Sequence, residues 1–344
     1  METFESFEEV LYDVNERSFD EIALKLFHFQ AKHNPVYSRY IGFLGVNPAL
    51  VDDPDHIPFL PVTFFKTHAI KTGNWQAEIV FTSSGTTGMA PGDKTGANSR
   101  SSRHEVHSLR FYLDNAARCF SFFYGNPYEY TILALLPSYV ERGGSSLIAM
   151  IEDFIGRGHS KQAGFYHKSH EALVRALRDL RHQKVILWGV TYALLDLADE
   201  YDIDLSGVIV METGGMKGRR KEITRAELHD YLGRRFHVPA VHSEYGMTEL
   251  MSQAYSPGDG LFRCPPWMRV VLRDPEDPRD VSRVHSRGGI NIIDLANFRT
   301  CAFIETQDLG KTGPPIGGHG QNGGFEVLGR MDNSDIRGCN LLVE

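Results

Sequence analysis

Between residue 76 and about residue 250, continuous apolar runs alternate with stretches whose apolar positions recur every three or four residues. TILALL (131–136), KVILWGV (184–190), GVIVMET (207–213) and VPAVHSEY (238–245) are of strand length. The stretches near 102–123, 144–156, 168–182, 192–201 and 224–236 carry helical spacing. The last opens on a capping-box pair, Thr224 and Glu227, and sets Leu228, Tyr231, Leu232 and Phe236 on one face. Strands that are apolar throughout and separated by helices predict a parallel sheet covered on both faces, hence an α/β fold.

The flanks have a different texture. Residues 1–75 read as a helical lead packed on the core: Ile22, Leu24, Leu26 and Phe27 lie in the amphipathic run FDEIALKLFHFQAKHN, and Pro54, Pro58 and Pro61 then forbid continuous helix. Residues 76–254 form the α/β core. From 255 to 344 shorter β-like runs (MRVVLRD, GGINIIDLA, CAFIETQDLG, GGFEVLGRMD) are parted by Pro and Gly turns, which predicts a smaller β-rich subdomain.

The first candidate for chemistry follows the apolar residues Ile79, Val80 and Phe81. In FTSSGTTGMAPGDK (81–94) Ser83, Ser84, Thr86 and Thr87 offer hydroxyls, while Gly85 and Gly88 let backbone N–H groups approach a ligand closely. That is what a polyphosphate needs, although the same composition suits a solvated turn. A Walker P-loop is excluded by spacing, because only three residues separate Gly88 from Gly92 and Asp93 precedes Lys94.

Composition narrows the classes. The 344 residues are 42% hydrophobic and 23% charged, as in a globular protein with a sizeable core. A net charge of −8 argues against a nucleic-acid partner. Four widely spaced cysteines without a CxxC pair, and an acidic N-terminus where a secretory signal would be basic, point to a reducing cytoplasm. No apolar run is long enough to span a bilayer. His104 with His107, and His167 with His170, are three apart on predicted helices but lack companion ligands, so they read as surface histidines.

Four further segments follow the loop: METGGMK (211–217), HSEYGMTEL (242–250), ETQDLG (305–310) and GRMDNSDIRGCNLLVE (329–344). In this order they resemble the adenylate-forming superfamily of acyl-CoA synthetases and nonribosomal adenylation enzymes over roughly residues 80–340. The resemblance implies that superfamily's large-domain fold, with parallel and mixed sheets covered by helices. It implies ATP and Mg²⁺ as cofactors, with Ser83, Ser84, Gly85, Thr86, Thr87 and Gly88 around the phosphates and Gly214 and Gly215 under the adenine. Tyr245 and Gly246 would stand beside the base, Thr248 would meet the α-phosphate, and Glu249 would hold Mg²⁺. Asp308 takes the place of the Asp that bridges the ribose hydroxyls, and in the hinge motif Arg330 takes that of the Arg that contacts ribose or phosphate, with Asp332 at the hinge. NFRT (297–300) mimics only part of the ribose motif. Pro91 stands where the superfamily has Lys or Arg, which leaves open whether Lys94 substitutes.

Only 14 residues follow Arg330, where ordinary members continue into a mobile C-terminal domain carrying a catalytic Lys. An ending of this kind, with the SSGTTG loop and the TGG turn, is similar to the LuxE-type acyl-protein synthetases. That likeness implies activation of a carboxylic, fatty acid and its transfer to Cys339 as a thioester, on the way to an acyl-accepting partner such as a reductase or carrier protein. By itself Cys339 also reads as a small apolar residue near a chain end. An aryl- or acyl-CoA ligase of the phenylacetate-CoA ligase type and a non-catalytic nucleotide- or acyl-binding subunit stay as alternatives. Residues 135–147 follow a core strand and are expected to border the acyl pocket.

Overall fold

The computed structural model describes residues 3–83, 101–136, 143–214, 223–274, 286–313 and 324–331. The chain divides into two units, one of Met1–Gln76 with Cys264–Glu344 and one of Ala77–Arg263. The first unit opens with α1 (Phe4–Val10), α2 (Glu16–His33), α3 (Pro35–Phe43) and the short strand β1 (Leu60–Pro61). The second contains β2 (Ile79–Thr82), β3 (Arg103–Val106), α4 (Leu109–Tyr124), β4 (Thr131–Leu135), α5 (Ser146–Arg157) and β5 (Gly164–Phe165). It continues through α6 (His170–Asp179), β6 (Val185–Val190), α7 (Thr191–Glu200), β7 (Val208–Thr213), α8 (Arg225–Phe236), β8 (His242–Tyr245) and β9 (Ala254–Ser256). The chain then returns to the first unit as β10 (Met268–Arg273), β11 (Arg287–Asp294), β12 (Phe303–Thr312) and β13 (Phe325–Arg330).

In the second unit the described residues form a six-stranded sheet in the order β5-β4-β6-β7-β8-β9. All neighbours are parallel except β9, which runs antiparallel to β8. Because side chains alternate along a strand, one face is built from Leu133, Leu135, Val185, Leu187, Val208 and Val210, which pack on leucines of α6, α7 and α8. On the other face Trp188 meets Phe120 of α4 at 6.1 Å and Phe154 of α5 at 6.5 Å between ring centroids. The fold is thus α/β with a mixed sheet. The predicted helix over 102–123 starts later: residues 103–106 form β3, paired antiparallel with β2. Burial alternates there, with His104 and Val106 inside, and Ser108 caps α4 by accepting the Phe111 N–H.

In the first unit the order is β1-β12-β11-β10, and β13 pairs the later part of β12 along the same edge as β1, opposite β11. The pair β1 and β12 is parallel and the others antiparallel. The buried face of α2 carries Phe19, Ala23, Leu26, Phe27, Gln30 and Ala31 at helical spacing. Buried Gln30 donates to the carbonyls of Asn297 (3.0 Å) and Phe298 (3.2 Å) and accepts the Ala302 N–H at 2.9 Å. NFRT is therefore the structural turn between β11 and β12, held by a glutamine. Among the described residues no helix is long and apolar enough to cross a membrane.

Candidate functional site

Two of the sequence motifs meet through β2 and β3. Strand β2 delivers Thr82 and Ser83 to the start of the Ser/Thr/Gly loop, and Phe81 lies opposite His104 in the register. His104 is fully buried, and its Nδ1 donates to the Thr248 carbonyl at 2.8 Å. Since a carbonyl only accepts, this bond fixes the tautomer. Burial pushes the imidazole down to about 4, offset in part by that bond, so the ring is neutral near pH 7. The sequence placed His104 on a helix surface; the period-two burial of β3 puts it inside, where it tethers the YGMTE turn.

That turn is closed by a bond from the Leu250 N–H to the Met247 carbonyl at 3.2 Å, with Thr248 and Glu249 between. Ser83 is fixed from two sides: its N–H donates to the Ser102 carbonyl at 3.1 Å, and its hydroxyl accepts the Ser102 N–H at 2.9 Å. The Thr82 N–H donates to the Gly144 carbonyl at 2.7 Å. Gly144 has φ +83°, and a Cβ there would come within 2.8 Å of the Thr82 hydroxyl, so only glycine allows this approach. Just beyond, Ser145 caps α5 by accepting the Ile148 N–H.

These elements surround a cavity of about 390 Å³. Ser83, Gly214, Gly246 and Thr248 all line it, so four of the predicted site residues share one space. The start of α5, residues 145–148, forms part of the wall, along with the apolar Leu136, Met150 and Val190. A helix start presents unpaired N–H groups and the positive end of its dipole, which favours an anion. Tyr245 is buried beside Phe262, with centroids 5.7 Å apart, and Glu249 is 5% exposed. Neither side chain is among those that line the cavity.

Asp308 and Arg330 belong to the first unit. They face each other across β12 and β13, and Arg330 Nε lies 3.8 Å from Asp308 Oδ1. Ser84, Gly85, Thr86, Thr87, Gly88, Lys94, Gly215, Asp332 and Cys339 lie outside the described residues, as do Tyr139 and Val140 of the expected acyl border. Among the described residues no three His, Cys, Asp or Glu side chains gather into a metal site. A Mg²⁺ carried by substrate phosphates needs only one or two protein carboxylates, and Glu249 beside Thr248 has that chemistry.

The sequence reading missed Glu244 and Gln253, which both line the cavity. Glu244 accepts a short hydrogen bond from the Thr213 hydroxyl. Burial pushes its carboxyl up to about 7, against the Thr213 bond and with added repulsion from Glu212. Glu212 is held the other way: despite burial, His229, Arg225 and Ser243 keep it ionised, with Ser243 donating at 2.9 Å and Arg225 at 3.1 Å. A signal for Glu244 was present, since a charged residue inside the apolar strand run VPAVHSEY must be paired or functional. A Cβ on Gly246 would collide with the Glu244 carboxylate and reach within 3.4 Å of the Gln253 Cγ. Gly246→Ala is expected to lower unfolding stability by about 1–3 kcal/mol in urea titrations; an unchanged midpoint would refute this close fit.

The comparisons agree with this architecture. A 2-hydroxyisobutyryl-CoA ligase, solved with 2-HIB-AMP and CoA, superposes with a TM-score of 0.66 at 14% identity, covering 94% of this chain and 71% of its own. The ATP-bound RpMatB-BxBclM chimera B3 gives a TM-score of 0.51 at 18% identity, covering 73% of this chain and 47% of its own. The fold is that of the adenylate-forming ligases. No curated protein matches the sequence. The family model described as acyl-protein synthetase, LuxE, matches residues 5–344, and on that match the chain belongs to the LuxE acyl-protein synthetase family.

Proposed function

We propose that the chain uses ATP to convert a carboxylic acid, of the fatty-acid class, to an acyl adenylate, and then passes the acyl group through Cys339 to a partner protein. The observation that carries the reading is the convergence of Ser83, Gly214, Gly246 and Thr248 on one cavity, with His104 of β3 tying the YGMTE turn to the strand paired with the one that leads into the Ser/Thr/Gly loop. Apolar walls beside a helix start suit an alkyl carboxylate next to a triphosphate.

A carboxylate oxygen attacks the α-phosphorus of ATP, the bond to the β-phosphate oxygen breaks, and pyrophosphate leaves. Ser83 and Thr248 orient the phosphates, so attack proceeds in line from a bound geometry. Mg²⁺, held with help from Glu249, would neutralise the charge that gathers on the leaving pyrophosphate. The Cys339 thiolate then attacks the acyl carbon and AMP departs, leaving a thioester.

The test is acid-dependent ATP–pyrophosphate exchange across a panel of acids, followed by protein labelling with radioactive acid. Wild type is expected to exchange and to carry label that neutral hydroxylamine removes, and Cys339→Ser to exchange but lose most of that label. Equal labelling of both proteins would sink the acceptor role, and no exchange with any acid would favour a binding subunit. The likeness to a CoA ligase fold supports a second reading, in which CoA takes the acyl group directly; CoA added to the assay would then yield acyl-CoA with Cys339→Ser as with wild type.

A further inference from the structure

Among the described residues that line the cavity, Glu244 is the only charged one, and none is Lys, Arg or His. Glu244 is 7% exposed. Its Oε2 accepts the Thr213 hydroxyl, while Oε1 takes no donor from the described residues. That free oxygen lies against Gly246, itself in the cavity wall, where a Cβ would collide with it. Unlike Gln253 Oε1, which is enclosed and unsatisfied, it is not sealed from the cavity. Glu212, on the adjacent strand, has Arg225 at 3.1 Å, and Glu244 has no such partner among the described residues. A buried carboxylate is paired with a cation or coordinates a metal. For a metal the companions are missing, since no three His, Cys, Asp or Glu side chains gather among the described residues. The cation is left for the ligand to bring.

We propose that the acid activated in this cavity carries a protonated amino group on its aliphatic body, and that this ammonium pairs with Glu244 Oε1. The inference rests on the adenylation reading, because that reading puts the reacting carboxylate near Thr248. Gly246 lies two residues from Thr248, which limits their separation to about 7 Å. The amino group read beside Gly246 therefore stands within a few carbons of the carboxylate. An ammonium there offsets two like charges that would otherwise meet, those of the incoming carboxylate and of Glu244. A hydroxyl could donate to the same oxygen but would leave that repulsion in place. The ammonium also favours the ionised form of a carboxyl that burial holds at about 7. Leu136, Met150 and Val190 suit the methylenes.

The experiment compares hexanoate, decanoate and tetradecanoate, each with its 2-amino, 3-amino, 4-amino and 3-hydroxy analogues, in ATP–pyrophosphate exchange. Wild type is expected to prefer an amino acid over its parent by about 30-fold or more in kcat/KM, the usual loss when one partner of a buried ion pair is removed. Glu244→Gln keeps the shape without the charge and is expected to bring that ratio close to parity, chiefly through KM for the amino acid. Glu244→Asp keeps the charge and is expected to retain part of the preference. Wild type that uses the parent acids, or the hydroxy acids, as well as the amino acids overturns the inference and leaves the adenylation reading standing. A preference that survives Glu244→Gln also overturns it. So does a Glu244→Gln variant that loses exchange equally with every acid, as loss of a metal ligand would cause. Absence of exchange with every acid overturns both.

Discussion

Under the proposed function, acid-dependent ATP–pyrophosphate exchange is expected to fall by about 10²–10³-fold when Glu249 becomes Gln. The amide has the size of the carboxylate, so it fits the buried position in the turn that Leu250 and Met247 close. What it lacks is the charge. On the proposed reading three phosphates would crowd negative charge into a partly enclosed site, and its neutralisation would fall to the divalent ion and its ligand. Raising the Mg²⁺ concentration is expected to recover part of the rate, because the loss lies largely in metal affinity. A structural role for Glu249 would instead lower the unfolding midpoint and give no recovery. A variant that exchanges like wild type would remove Glu249 from the metal site.

The second large effect is on stability and has a definite pH window. The Glu244 carboxyl stands at about 7 in the fold against an ordinary 4.5. A group raised in this way contributes stability that is fully present below its unfolded value and is lost as pH rises through its folded value. The difference corresponds to about 3 kcal/mol. Glu244→Gln removes the titration and keeps an acceptor for the Thr213 hydroxyl. The groups facing Glu244 electrostatically are Glu212, which is already ionised, and the phenols of Tyr112 and Tyr255, which burial keeps neutral. Urea unfolding at a series of pH values is therefore expected to give nearly equal stabilities at pH 4.5, with the variant ahead by about 3 kcal/mol at pH 8. Curves that run parallel across that range would disprove the raised carboxyl.

Much of this was legible in the residues themselves. Apolar runs bounded by amphipathic stretches defined the strands and helices of the second unit, because burial on both faces demands continuous apolar strands and each covering helix shows its 3.6-residue period. The Thr224 and Glu227 capping box marked the start of α8, since its bonds are local. HSEYGMTEL and SSGTTG were found for the same reason: each is contiguous in sequence. Short-range chemistry leaves short-range patterns.

The relations between those patterns were decided by the tertiary structure. Nothing adjacent to His104 in sequence tells that its imidazole anchors Thr248, 144 residues away, or that Gly144 must be bare for the Thr82 backbone to approach. Gln30 and Asn297 are 267 residues apart, yet their bond turns a ribose-motif look-alike into a structural corner. Glu244 stood out in sequence only as a charge within an apolar strand run, and Gln253 did not stand out at all. Burial raised the proton affinity of the first and left the second's Oε1 without a hydrogen-bond partner among the described residues. Desolvation and hydrogen-bond satisfaction depend on what packs around a group in three dimensions, and the linear sequence does not carry that information.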